Sequence, residues 1–386
     1  MFEEKINFEL DLNKNIKLLT DAIESSKILI IGGAGTIGSN YIKQILLYRP
    51  SKIVVVDINE NGLTELTRDL RSSNLLDYNP QYITYPVNLL DETFNKIFKS
   101  ERFDIVSNFS AHKHVRSEKD EISVEALIKN NVFGAIKLLE LCSICPPKYF
   151  FSVSTDKAAN PVNIMGASKL LMEKLILSMK NEFRVSTARF ANVAFSNGSL
   201  LDGFNYRLQK KQPLSCPHDI KRFFVTPKQS GQICLLATFI KDSGNIFFPK
   251  LDFNLDQIFF KDIAISFLKD HGFEPYLASS EEDAKNFNFE DKSNKYPVYF
   301  FKSDTTGEKL FEEFYTENED YNLSDFNSLG YIKNKNISIS FDEVKNDFTA
   351  VFNNKHCKKI DIIRVIKKYV TDFHHIDKGK NLDEKM

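Results

Sequence analysis

Lys27-Ile-Leu-Ile-Ile-Gly-Gly-Ala-Gly-Thr-Ile-Gly38 is a short apolar run closed by a glycine-rich turn, and behind it Tyr41-Ile-Lys-Gln-Ile-Leu-Leu47 carries helical amphipathic spacing. The order is strand, turn, helix. Gly32 permits the tight turn, Gly35 lets a pyrophosphate approach the backbone, and Gly38 allows the helix to pack closely on the strand. Thr36 and Ile37 open the helix, whose N-terminus offers free N–H donors and the positive end of its dipole. A second apolar run, Lys52-Ile-Val-Val-Val56, ends in Asp57, nineteen residues after Gly38. A carboxylate there accepts both hydroxyls of an adenosine ribose, which favours NAD. Arg68 and Arg71 can turn toward a 2′-phosphate, so NADP stays open.

The same alternation continues to about residue 190. Strands are expected at 27–31, 52–57, 82–87, 104–109, 148–154 and 185–191, and helices at 36–48, 61–73, 91–99, 121–143 and 166–181. This pattern predicts an α/β fold, a doubly wound parallel sheet covered on both faces. After Asn192 the texture turns to short mixed elements rich in Phe, Asn and Asp, expected to form a smaller C-terminal substrate-binding lobe. The expected division is a leader and helix at 1–26, a dinucleotide domain at 27–192, the substrate lobe over most of 193–350, and a C-terminal helix and tail at 351–386. Ser279–Ser293 reads as an exposed polar excursion. Lys358–Val370 reads as an amphipathic helix with Ile360, Ile363, Val365 and Ile366 on one side, packing on the body or on a sister subunit. His374 and His375 read as solvated tail, and Asp377–Met386 as a mobile end.

Composition narrows the class. The chain has 386 residues, 42% of them hydrophobic, and a net charge of -1, which argues against disorder and against a nucleic-acid-binding surface. Its five scattered cysteines fit a reducing cytoplasm; Cys142 and Cys145 form a CxxC with no second pair nearby and read as core or surface thiols. No apolar run approaches the roughly 18 residues that span a bilayer.

A second stretch carries chemistry. Ser152-Val-Ser-Thr-Asp-Lys157 follows the apolar Tyr149-Phe-Phe151 at the end of a strand, and Asn160-Pro161 leads into a helix that begins near Gly166 and carries Lys169. Open parallel sheets bind ligands at the carboxyl ends of their strands, so Thr155, Asp156 and Lys157 are site candidates. Ser110 and Ala111 end the fourth strand, with Lys113 expected to line a substrate and His114 to pack or cap. Asn131 is expected to order backbone nearby. Asn192 and Arg222 read either as contacts to a phosphate or nucleoside or as buried hydrogen-bond partners; the planar fork of Arg matches phosphate oxygens.

From about residue 8 to about residue 350 these motifs resemble an extended short-chain dehydrogenase/reductase with a Rossmann domain. They resemble most closely the soluble catalytic domains of the UDP-N-acetylglucosamine 4,6-dehydratase (polysaccharide-biosynthesis) family. The matching stretches include Ile31–Ser39, Val56–Glu60, Ser110–Val115, Asn130–Gly134, Ser152–Lys157, Arg189–Val193, Arg222–Thr226 and Gly307–Glu313. The resemblance implies a cofactor site of Gly32, Gly35, Thr36, Ile37, Gly38, Asp57, Asn88, Ser110, Ala111 and Lys169. It also implies a nucleotide-sugar site with Lys113, Met165, Asn192 and Arg222, and a homo-oligomer without the membrane spans of anchored relatives. Two positions depart from the usual pattern. Met165 stands where ordinary short-chain dehydrogenases place a tyrosine base, a replacement found in one branch of the family, and Thr305-Thr306 precede Gly307 where relatives commonly carry Arg-Pro.

The implied reaction is 4,6-dehydration, with UDP-N-acetylglucosamine as first candidate substrate. Asp156 would be the acid for the departing C6 hydroxyl, kept protonated by burial, and Lys157 the C5 base, its pKa lowered by desolvation and cofactor charge. Lys169 would hold the nicotinamide ribose and Thr155 the C4 oxygen. The group that takes the C4 hydroxyl proton stays open. A 4-epimerase or 4-reductase, and a non-catalytic dinucleotide sensor, are the alternatives.

Overall fold

The structure, a computed structural model, describes residues 6–376 apart from 254, 291–293, 305–306, 308, 310 and 334–336, so the expected mobile end at 377–386 lies outside the described residues. Six strands follow the expected order: β1 (Lys27–Ile31), β2 (Lys52–Val56), β3 (Gln81–Tyr85), β4 (Ile105–Asn108), β5 (Tyr149–Thr155) and β6 (Arg184–Phe190). They lie side by side as β3-β2-β1-β4-β5-β6, all parallel. Asn245–Pro249 adds to β6 in parallel, and Leu329–Lys333 and Tyr321–Asn322 close that edge antiparallel. The chain leaves β1 in one direction and returns to β4 on the other side, so the carboxyl ends of these two strands flank a crevice.

Two-residue alternation along each strand divides the core. Ile28 and Ile30 pack with Tyr41, Val55 and Phe151 on one face, under the helix Pro227–Phe239; Leu29 and Ile31 pack with Val54, Val106 and Phe150 on the other. On that second face the expected helix 121–143 is in fact three pieces, Glu121–Ile128, a π-helical turn Lys129–Phe133, and Gly134–Ile144. The helices Phe341–Phe352 and Lys359–Tyr369 cover it. The last of these buries Ile363 and Ile366 as expected and half-buries Val365, but it buries Ile362 in place of Ile360, which is exposed, because of how the helix docks on the body. His374 is exposed as expected, but His375 is half-buried with its side chain largely covered, because residues 370–376 run back across the molecule.

The smaller lobe is built on a three-stranded parallel sheet, Glu274–Ala278, Lys295–Phe301 and Leu214–Pro217, with Leu201, Phe204, Phe267 and Val298 in its core. Of the segment 279–293, expected to be an exposed excursion, residues 291–293 lie outside the described residues, and 279–290 is largely exposed but anchored to the lobe through buried Ala284 and Phe287. Phe287 packs edge-on with Phe289, which packs with Tyr296. Segments 227–249 and 321–333 belong to the large sheet and its covering helix, so the lobe is an insertion between contributions to one core.

At the N-terminal end, the helices Glu9–Lys14 and Ile16–Ile23 lie against Pro227–Phe239. Asp11 is fully buried, and its two oxygens accept from the backbone N–H groups of Asn327 and Ser328, from Asn327 Nδ2 and from Ser328 Oγ at 2.6–3.0 Å. Burial alone would raise its pKa; the four donors outweigh it and hold the carboxyl below its ordinary 3.8. Asp11→Ala leaves those donors unpartnered, with an expected loss of about 3 kcal/mol in denaturant unfolding at neutral pH. Because folding lowers this pKa, the ionised form stabilises the native chain above about pH 4, and that contribution fades as pH falls through the lowered native value. Acid unfolding of Asp11→Asn should therefore depend less steeply on pH in that range than unfolding of the wild type.

Candidate active site

The crevice opens into a cavity of about 530 Å³ between the glycine turn, the ends of β4 and β5, and the first helix of the small lobe. Gly32, at φ +75°, lies against β4 so tightly that an added Cβ would meet Ser110 N at 2.5 Å. A Cβ on Gly38 would meet Gly32 O at 2.5 Å, whereas one on Gly35 would meet nothing nearer than 3.5 Å. Gly35 thus presents open backbone to the cavity, as pyrophosphate binding requires. Asp57 lines the cavity with Oδ2 fixed by Ala34 N–H and Oδ1 by Asn59 N–H, both at 2.9 Å. Arg68 is mostly exposed and faces Glu65, and neither it nor Arg71 lines the cavity.

Thr36, Ile37, Asn88, Ser110, Ala111 and Lys113 line the same space. Asn108 Oδ1 accepts from Ser110 N–H and Oγ–H, while Asn131, on the π-helical turn, holds the backbone of His112 on both sides by accepting from its N–H and donating to its carbonyl. A π turn widens the helix locally, and such bulges concentrate at functional sites. Lys113 Nζ donates to Asn197 O across the crevice.

Thr155, Lys157, Met165, Lys169 and Asn192 line the opposite wall. Thr155 ends β5, and Asp156 and Lys157 form a single 3₁₀ turn capped by its hydroxyl. Asp156 is 1% exposed; its Oδ1 accepts from Thr155 Oγ–H and from Lys157 Nζ, each at 2.9 Å. Among the described residues no donor reaches its Oδ2. Lys169 is buried with Nζ donating to Val153 O at 2.7 Å, and burial, partly offset by Glu173, brings its pKa down to about 8. Met165 supplies a buried thioether, and its N–H, one of the unpaired donors that open the helix Ile164–Ser178, is taken by Glu118 at 2.9 Å.

One expectation changes, and for Arg222 the structure shows the second of its two readings, a buried hydrogen-bond partner. The Lys157 pKa is raised: burial opposes the charge, but Asp156 and Glu312 on either side outweigh it in the ligand-free protein. Arg222 does not line the cavity; its guanidinium is buried, donating to the carbonyls of Lys221 and Lys309 and lying 3.7 Å from Glu312. Of the segment around 305–309, Thr305, Thr306 and Glu308 lie outside the described residues.

Several participants carried no assigned role in the sequence reading. Glu312, 2% exposed, sits 3.8 Å from Lys157 Nζ. Glu118 holds the helix start, and Gly166 lets that helix touch the 3₁₀ turn, where an added Cβ would come within 2.4 Å of Lys157 O. The Gly166 contact had a local signal, a glycine in the first turn of an otherwise apolar helix. Glu118 and Glu312 had none beyond the resemblance. Gly166→Ala is expected to fold, to lose about 1–3 kcal/mol in denaturant titration as the helix and turn separate, and to keep its dinucleotide affinity, because the glycine turn is untouched.

The polysaccharide biosynthesis protein family matches residues 28–334. An uncharacterized membrane protein of Methanocaldococcus jannaschii is 30% identical over 355 residues, covering 89% of this chain and 97% of that protein. In this chain no helix among the described residues is long and apolar enough to cross a membrane. The inverting UDP-N-acetylglucosamine 4,6-dehydratase of Campylobacter jejuni is 30% identical over 234 residues, 58% of this chain and 66% of that enzyme. Among solved structures, UDP-glucuronic acid 4-epimerase from Bacillus cereus, in complex with UDP-glucuronic acid and NAD, matches with a TM-score of 0.57 at 21% identity, over 74% of this chain and 89% of that one, a likeness of fold. The glycine turn, the Ser-Thr-Asp-Lys strand end and the Glu312 segment all fall inside the matched range, and the chain belongs to the polysaccharide biosynthesis protein family, built on an extended short-chain dehydrogenase/reductase fold.

Proposed function

We propose that this chain is a nucleotide-sugar 4,6-dehydratase that converts a UDP-N-acetylhexosamine, with UDP-N-acetylglucosamine as first candidate, to its 4-keto-6-deoxy product. The observation that carries the reading is the ion pair of Lys157, which lines the cavity opposite the glycine turn, with Asp156, which is buried directly behind it and bonded to Lys157 Nζ at 2.9 Å. Open backbone at Gly35, the Asp57 carboxylate at the end of β2 and Lys169 across the crevice fit NAD. When bound, NAD would supply the oxidant that takes hydride from sugar C4 and returns it to C6.

The chain's own residues handle protons. Thr155 orients the C4 oxygen, and a C4 ketone acidifies the C5 proton. Lys157 and Asp156 share one proton across their hydrogen bond. The step needs the amine of Lys157 free and the proton on Asp156, whereas in the ligand-free protein the carboxylates of Asp156 and Glu312 favour the ammonium. The amine then takes the C5 proton while Asp156 protonates the departing C6 hydroxyl, which leaves as water. The C4 hydroxyl proton passes to water as C4 is oxidised. The pair ends as ammonium and carboxylate; the Lys157 ammonium, exchanged with solvent, returns a proton to C5 as C6 is reduced, and one proton from solvent recharges Asp156. Met165 can carry no proton, which argues against a tyrosine-dependent epimerase or reductase. The reading includes a cytoplasmic, self-associating enzyme, as the cysteine usage and the resemblance lead one to expect.

With UDP-N-acetylglucosamine in deuterated water, the wild type is expected to yield a 4-keto-6-deoxy sugar carrying deuterium at C5 by NMR. Lys157→Met should abolish turnover while leaving nucleotide binding nearly intact, and Asp156→Asn should stall elimination of the C6 hydroxyl. Near-normal dehydration by both variants would show the roles to be misassigned. Calorimetry on cofactor-stripped protein should find NAD bound more tightly than NADP, since a 2′-phosphate would meet Asp57; the reverse order removes that residue from cofactor selection.

A further inference from the structure

Five charged side chains meet behind the cavity wall. Asp156, Lys157, Glu312, Arg222 and Lys309 lie on the turn after β5, the Lys221–Arg222 strand and the segment 309–312. Glu312 is at their centre: Oε1 lies 3.8 Å from Lys157 Nζ and 3.7 Å from an Arg222 nitrogen, and Oε2 lies 4.0 Å from Lys309 Nζ. Each is an ion-pair distance without a hydrogen bond, and among the described residues no donor reaches Oε2. A carboxylate this deeply buried would ordinarily be bonded to the groups around it. Here the three cations around it stand at 3.7–4.0 Å and act on it through field. Arg222 cannot turn away from it easily, because its donors are committed to the carbonyls of Lys221 and Lys309, which also fix the backbone on which Glu312 is carried.

The structure assigns to Glu312 the setting of the protonation state of Lys157: it is a positioning residue whose carboxylate makes that amine a stronger base without touching substrate. Asp156 cannot do this alone, since it shares its proton with Lys157 and its charge changes sides as the proton moves; Glu312 keeps a carboxylate beside Nζ whichever partner holds it. Burial raises the Glu312 pKa, with Asp156 adding to the effect and the three cations opposing it, and Glu312 in turn is one of the two groups that raise Lys157. The assignment rests on the dehydratase reading only for its kinetic consequence.

The test uses the whole chain with Glu312→Gln, which keeps shape and removes charge, and Glu312→Asp, which keeps charge and withdraws it. Competitive acetylation of Lys157 across a pH series, read by mass spectrometry, gives the apparent midpoint of its amine without any need for turnover. The midpoint should fall by about one pH unit in Glu312→Gln and by less in Glu312→Asp. With UDP-N-acetylglucosamine, the acid limb of the kcat/KM profile should move down by the same amount and the plateau of kcat should drop about threefold, as a weaker base requires, with KM unchanged. Should Glu312→Gln fail to fold, the smaller shift in Glu312→Asp serves instead. An unmoved Lys157 midpoint in the folded variants overturns the assignment. A moved midpoint in a protein that dehydrates no nucleotide sugar supports the assignment and overturns the proposed function instead.

Discussion

Seven strands of the central sheet run in one direction, and that shared polarity collects the working groups at one edge. β1 delivers the glycine turn, β2 delivers Asp57, β4 delivers Ser110 and the loop to Lys113, and β5 delivers Thr155, Asp156 and Lys157. A parallel ladder needs a covering crossover between each pair of strands, so the helix start after β1 falls at the same edge. Its unpaired N–H groups face the cavity, with Gly32 and Gly38 allowing an approach that any side chain would block.

Beneath this edge lies an ionic layer that the cavity does not reach. Arg189 of β6 is fully buried and makes paired hydrogen bonds with both Glu173 and Glu319, while Ser154 bonds to Glu173 at 2.5 Å. Such a cluster contributes little net stability against an apolar replacement, yet removing one member strands a buried charge at about 3–5 kcal/mol. What it supplies is geometry: it fixes the residue before Thr155 and the helical turn after Lys169 in one frame. Lys157 and Lys169 face one cavity under opposite influences, one amine raised by two carboxylates and the other lowered by burial.

The parts of this arrangement that are local in the chain could be read from it. Strand positions agreed to within two residues because Val-, Ile- and Phe-rich runs bounded by glycine, asparagine and proline admit few other structures. The Asp156–Lys157 pair was legible as a strand end followed by a helix start. Glu312 was not, because its relation to Lys157 spans 155 positions and is made by folding. The direction of the Lys157 shift was misjudged for the same reason: desolvation can be anticipated from burial, but a second carboxylate arriving from a distant segment cannot. The C-terminal helix was misread at one position, for a different reason. Its stripe holds more isoleucines than one face can bury, and only the surface it meets selects Ile362 over Ile360.

The end of the described chain carries a consequence of its own. Ile376 donates its N–H to Val162 O and accepts from Gly307 N–H, Asn163 donates to Gly307 O, and His375 lies beside Glu118, which holds the N–H of Met165. Residues 370–376 are thus stitched between the segment after Lys157 and the segment before Glu312. On a ribosome these residues emerge after both of the segments they join. The sheet and the glycine turn can form while synthesis continues, but the Ile376 bridge between Val162 and Gly307 forms only once the chain has been made through residue 376. A chain still short of residue 376 would hold the parts for binding a dinucleotide before it held the tether that joins the segments beside Lys157 and Glu312.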